Sequence, residues 1–122
     1  MSFRVIIAGG RDFSDYERLK TVCDKVLANK FDEGVTVISG TARGADSLGE
    51  QYARERGLQV IRMPADWDRY GKAAGYRRNE EMAKTAGPGG GLIAFWDGNS
   101  RGTKHMLDLA KQYGLAIRLI RY

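Results

Sequence analysis

The chain has 122 residues, 43% of them hydrophobic and 29% charged, which suits one globular domain with a modest core and leaves no room for a second. No apolar run approaches the roughly 18 residues of a membrane helix, and residues 1–8 lack the pattern of a secretory leader, so a cytoplasmic protein away from membranes is expected. A single cysteine, Cys23, excludes an intrachain disulfide and argues against a cysteine-based metal site, and a formal charge of +5 directs attention to anionic partners.

In chain order, the run at 4–8 (RVIIA) has strand length and β-branched enrichment, and Gly9-Gly10-Arg11-Asp12 follows it. Tyr16, Leu19, Cys23, Val26 and Leu27 then recur at helical spacing, with Ser14 placed as N-cap before Asp15 and Glu17. Gly34 precedes a second strand at 35–39 (VTVIS), which runs into Ser39-Gly40-Thr41-Ala42-Arg43-Gly44-Ala45-Asp46. A second helix is carried by Ala45, Leu48, Tyr52 and Ala53 and punctuated by Gly57, and a third strand falls at 59–63. Residues 64–75 form the longest irregular stretch, of a length that is more often functional than idle. Asn79, Met82, Ala83 and Ala86 mark a weaker helix, and residues 87–91 form a glycine-rich connection. The fourth strand at 92–96 delivers Asp97-Gly98-Asn99-Ser100-Arg101-Gly102-Thr103 to a helix expected to start near Thr103 and to stop at Gly114. The last strand, 116–120, alternates in polarity as an edge strand does, whereas the first, second and fourth are apolar on both faces.

Strict alternation of strands and helices predicts one Rossmann-like α/β domain over 1–122. It has three layers and a five-stranded parallel sheet of order 3-2-1-4-5. Ligands of such sheets bind beyond the carboxyl ends of the strands, which selects the loops at 9–12, 39–46, 64–75 and 97–103.

Each of these loops carries binding chemistry. Gly44 and Ala45 are expected to bring helix-start N–H groups to a phosphate, with Ser39, Gly40, Thr41, Arg43 and Asp46 around them. Asp46 is equally readable as a helix-dipole residue. Gly98, Ser100, Gly102 and Thr103 form a second helix start facing the same crevice, beside Asp97. Trp67, Tyr70 and Tyr76 offer faces for a base, followed by Arg77, Arg78 and Asn79, although Trp67 serves equally as core cover. Asp12, Asp46 and Asp97 are the candidate acid or base groups, together with Arg78 as the candidate cation. The loops match neither a Walker motif nor G-x-G-x-x-G. No metal site is expected and no cofactor is required; Mg2+ would enter only with a phosphorylated ligand, bridged by Asp12 or Asp97. His105 has no nucleophile or metal-ligand companion and reads as an ordinary surface or helix position, and Cys23 reads as core.

With these motifs in place, the chain resembles the SLOG superfamily, the Rossmann-like group that includes DprA, the LOG phosphoribohydrolases and the YspA/YpsA-related proteins. The likeness is strongest to the small YspA-like branch. It rests on Gly9-Gly10-Arg11-Asp12-Phe13, the segment Ser39 to Asp46, Pro64-Ala65-Asp66-Trp67, the segment Gly75 to Met82, and the segment Phe95 to Thr103. The resemblance implies binding of a nucleotide or nucleotide derivative, in signalling or in conflict involving phages and mobile elements. It departs from the LOG enzymes, since Arg78 matches their arginine while Asn79 replaces the lysine and Met106 stands where their glutamate falls. Hydrolysis of a nucleotide N-glycosidic bond is therefore the alternative reading, with Asp12, Asp46 or Asp97 replacing that glutamate.

The Arg78-Asn79 pair also resembles the Arg-Asn pair of DprA, which implies a single-stranded nucleic-acid partner as a second alternative. The charge distribution bears on it: residues 1–61 hold 9 basic and 9 acidic side chains, residues 62–122 hold 11 and 6. A homodimer or higher homo-oligomer is expected of a small domain of this type.

Overall fold

In the computed structural model, which describes residues 2–122, side chains of the first strand alternate between two cores. Strand β1 (Phe3–Gly9) sends Val5 and Ile7 to one face and Ile6 and Ala8 to the other. Strands β2 (Val35–Ser39) and β4 (Gly91–Trp96) flank it and are buried almost throughout, as their unbroken apolar runs require. Strands β3 (Gln59–Arg62) and β5 (Ala116–Arg121) close the edges with half-exposed patterns, giving the parallel order β3-β2-β1-β4-β5.

Helices α1 (Tyr16–Leu27) and α2 (Ala45–Glu55) cover the first face, where Leu19, Cys23, Leu27 and Tyr52 meet Val5, Ile7 and Phe95. Helices α4 (Ala74–Ala86) and α5 (Arg101–Gln112) cover the second, where Met82, Ala83, Met106 and Ala110 meet Ile6, Ala8 and Leu92. The expected three-layer, doubly wound Rossmann-like fold is thus present, and the connections change direction between β1 and β4.

Three local expectations are corrected. Asp15, not Ser14, caps α1, because its carboxylate accepts the Arg18 N–H at 3.1 Å. Helix α5 begins at Arg101, two residues earlier than expected, since Ser100 supplies the cap through its hydroxyl to Thr103 N–H. The stretch 64–75 is not wholly irregular: Asp66 caps a short helix, α3 (Trp67–Tyr70), and a 3-10 turn (Gly71–Ala73) leads directly into α4. A single helical turn leaves no hydrophobic periodicity to read.

One close approach locks the layers. Gly49 of α2 lies over Ile7, and a Cβ there would sit 2.8 Å from Ile7 Cγ2. Ile7→Ala is expected to lower stability by about 2–5 kcal/mol in denaturant titration. Leu119→Ala, on the exposed edge strand, should change it by less than about 0.5 kcal/mol.

Candidate functional site

The carboxyl ends of β1 and β4 open into a cavity of about 430 Å³. The loop after β1 supplies one wall with Gly9, Gly10, Arg11 and Asp12; α4 supplies Arg78, Asn79 and Met82. The loop after β4 and the start of α5 supply Asp97, Ser100, Gly102, Thr103 and Met106, and Asp46 reaches in from α2. A second cavity of about 390 Å³ adjoins it, sharing Arg11, Ala42 and Arg78, and is lined further by Gly40, Thr41, Arg43, Pro64, Ala65 and Trp67.

Glycines allow these loops to meet. A Cβ on Gly9 would collide with the Phe95 carbonyl oxygen, and one on Gly44 with the backbone of Gly10 and Arg11. Gly44 also holds φ +76°, a conformation that favours glycine. Gly40 has the same role toward the site, because a Cβ there would lie 2.7 Å from Asp46 Oδ2 and 2.9 Å from Arg78 Nη1.

Asp46 is 5% exposed and accepts the Ala42 N–H at 3.2 Å, so it fixes the turn after β2 from inside. Burial pushes its carboxyl up to about 6, opposed by the Ala42 N–H and by the charge of Arg78. Arg78 is half-buried. Its Nε donates to Asn79 Oδ1 at 3.0 Å and its Nη1 to the Gly40 carbonyl, both neutral acceptors, and it makes no ion pair among the described residues. Withdrawal from water disfavours its charge, an effect that Asp46 partly offsets at longer range.

The other two aspartates are committed by one oxygen each. Asp12 Oδ1 accepts the Tyr122 hydroxyl at 2.6 Å, and Asp97 Oδ1 accepts the N–H groups of Asn99 and Ser100 at 2.8 Å each. Those backbone donors, Asn99 first, hold the Asp97 carboxyl below the usual range. Among the described residues no three His, Cys, Asp or Glu side chains gather as a metal site.

The expected loop donors are arranged differently from the sequence expectation. The Thr41 N–H goes to Ser39 Oγ at 3.1 Å, the Ala42 N–H to Asp46 and the Ala45 N–H to the Gly10 carbonyl at 3.2 Å. The loop after β2 thus turns these donors inward, and Ser39, Gly44 and Ala45 support the wall without lining either cavity. The N–H groups of Arg11, Asp12, Arg43 and Gly102 have no protein acceptor among the described residues and belong to cavity-lining residues, and that of Gly44, behind the wall, has none either. Tyr70 lies outside both cavities, its ring contacted by the guanidinium groups of Arg69 and Arg77 at 5.1 and 4.2 Å. Gly98, at φ +90°, packs beneath Arg121, away from the cavities. Trp67 is 51% exposed at the wall of the second cavity, so it is not core cover.

Two supporting residues go beyond the sequence expectation, Glu50 being new and His105 being expected as an ordinary position. Glu50 accepts the Ser39 hydroxyl at 2.6 Å and pairs with Arg62 at 3.1 Å, which braces Ser39 and, through it, Thr41 at φ +65°. A second carboxylate one turn beyond Asp46 on α2 was the available signal. His105 contacts Asn79 and is no bland surface position: its Nδ1 lies 3.2 Å from Asn79 Nδ2.

The raised Asp46 pKa fixes the sign of a pH effect. The folded state binds the proton more tightly than the unfolded chain does, so this group's contribution to stability grows as pH falls from about 7 toward 4. Relative to Asp46→Asn, wild-type protein is expected to gain up to about 3 kcal/mol across that window, measured by urea titration at each pH.

Gene 61 protein of Mycobacterium phage D29 is 34% identical over 122 aligned residues, covering 93% of each chain. No solved structure matches. No helix among the described residues is long and apolar enough to cross a membrane. Residues 3–70, which hold the first two cavity loops and the start of the third, match the YspA, cpYpsA-related SLOG family, and the chain belongs to that family.

Proposed function

We propose that the protein binds a nucleotide or nucleotide-derived ligand in the paired cavities at the ends of β1 and β4. The observation that carries this reading is Arg78: a half-buried guanidinium, held by neutral acceptors and facing two cavities, keeps its charge available for an anionic group. The unused N–H groups of Arg11, Asp12 and Gly102 supply further donors for a phosphate. The uncommitted oxygens of Asp12 and Asp97 suit sugar hydroxyls, and Trp67 offers a face to a base. Of the two helix starts expected to hold phosphate, this reading keeps the start of α5, together with Arg78, and gives less weight to Gly44-Ala45. The phage relative supports a phage-related role, which fits conflict involving mobile elements.

A second reading, hydrolysis of a nucleotide N-glycosidic bond, draws on Asp46, whose carboxyl is poised at about 6 beside the cavity. Water would add at the sugar C1′ as the bond to the base breaks, and the base would leave with a proton. Met106 lines the cavity where a LOG-type glutamate would stand, which favours binding over turnover.

Calorimetric titration with AMP, a cyclic mononucleotide and ADP-ribose is expected to detect binding of at least one of them. Arg78→Ala should weaken that affinity about 10–100-fold and Trp67→Ala about tenfold. Folded protein that binds none of the three would overturn the reading. Free base released from AMP, and lost in both Asp46→Asn and Arg78→Ala, would establish the hydrolytic alternative.

A further inference from the structure

We propose that His105 is a positioning residue, which through the Asn79 amide fixes the orientation of Arg78; its link to ligand affinity rests on the binding reading above. Asn79 is 7% exposed and sits between α4 and α5. Its Oδ1 accepts Arg78 Nε–H at 3.0 Å, while its Nδ2 faces the Gly102 carbonyl at 3.4 Å and His105 Nδ1 at 3.2 Å. Since Oδ1 faces a donor and Gly102 offers only an acceptor, the amide has one good orientation. Both hydrogens of Nδ2 then point outward, one to Gly102 and one to His105. The imidazole must therefore accept at Nδ1 and carry its proton on Nε2.

A second contact holds the ring, which stands edge-on to Tyr76 of α4 with centroids 4.7 Å apart. The charged groups around it are Glu80 on α4 and Asp108 on its own helix, both of which favour the imidazolium, yet burial outweighs them and keeps the ring's pKa below the usual histidine value. At neutral pH the acceptor is present. Below the folded pKa both ring nitrogens become donors, Nδ1–H meets Nδ2–H, and the amide loses the contact that completes its orientation. Arg78 Nε then loses the fixed acceptor that aims the guanidinium at the cavity.

The chain's one histidine makes the test direct. Long-range 1H–15N NMR on the intact, ligand-free protein is expected to show the Nε2–H tautomer at neutral pH. Asn79→Asp, which places a carboxylate opposite Nδ1, should raise the histidine pKa and move the proton to Nδ1. An Nδ1–H tautomer in the wild type, or an unchanged histidine titration in Asn79→Asp, would overturn the proposal. For binding, AMP is the probe. As pH falls through the histidine pKa that the same NMR titration reads, wild-type affinity should drop about fivefold more than that of His105→Gln, whose amide oxygen remains an acceptor throughout. Titration of Asp46 and of the AMP phosphate is common to both proteins and cancels in the ratio. Equal profiles would refute the link to affinity. Failure of AMP to bind at any pH would count against the binding reading alone, and the tautomer measurement would still decide the role of His105.

Discussion

Arg78 sits where a cation is costly to hold, half out of water and without a carboxylate in ion-pair contact. Its neutral partners orient it without cancelling its charge, and the nearest opposite charge, Asp46, is itself disfavoured by burial. On the proposed reading, an incoming anion would relieve that imbalance. The surrounding structure follows from this requirement. Gly40 lacks a side chain so that Arg78 and Asp46 can both approach the turn, and Asn79 bridges α4 to α5 so that the guanidinium and the N-terminus of α5 share one cavity.

The fold makes such a meeting possible. Because β1 and β4 are neighbours whose connections leave in opposite directions, their loops diverge and leave a crevice, and the helices on the two faces contribute from either side. Gly9 and Gly44 permit the backbones around that crevice to touch, with Ala45 N–H donating to the Gly10 carbonyl. Much of the loop after β2 is thus a structural wall held by Ser39, Asp46 and Glu50, and unused donors of cavity-lining residues lie across from it on the loop after β1 and at the start of α5.

Much of this was legible from residue order alone. Unbroken apolar runs marked β1, β2 and β4 as central, alternation marked β5 as an edge, and the topological rule placed the crevice. What residue order did not reveal was the direction of individual N–H groups: a glycine-rich turn such as 40–46 has the same sequence whether its donors face a ligand or its own Ser39 and Asp46 side chains. Single-turn α3 is not legible because four residues carry no period, and with it goes the contact of Tyr70 with the Arg69 and Arg77 guanidinium groups. His105 was unreadable for another reason. Its partner Asn79 lies 26 residues away on a different helix, and only the packing of α4 on α5 brings the two together.

On the proposed reading, Arg78 and the free N–H groups around it receive an anionic nucleotide. Titrating 15N-labelled protein with AMP or ADP-ribose while following the backbone amides and the Arg78 Nε–H tests it most directly. Shifts concentrated at Arg11, Asp12, Gly102 and Arg78, with the Gly87–Gly90 turn at the opposite end of the sheet unmoved, are the result expected. Shifts centred on that opposite end, or on Gly44 and Ala45 with Arg78 unaffected, would contradict it.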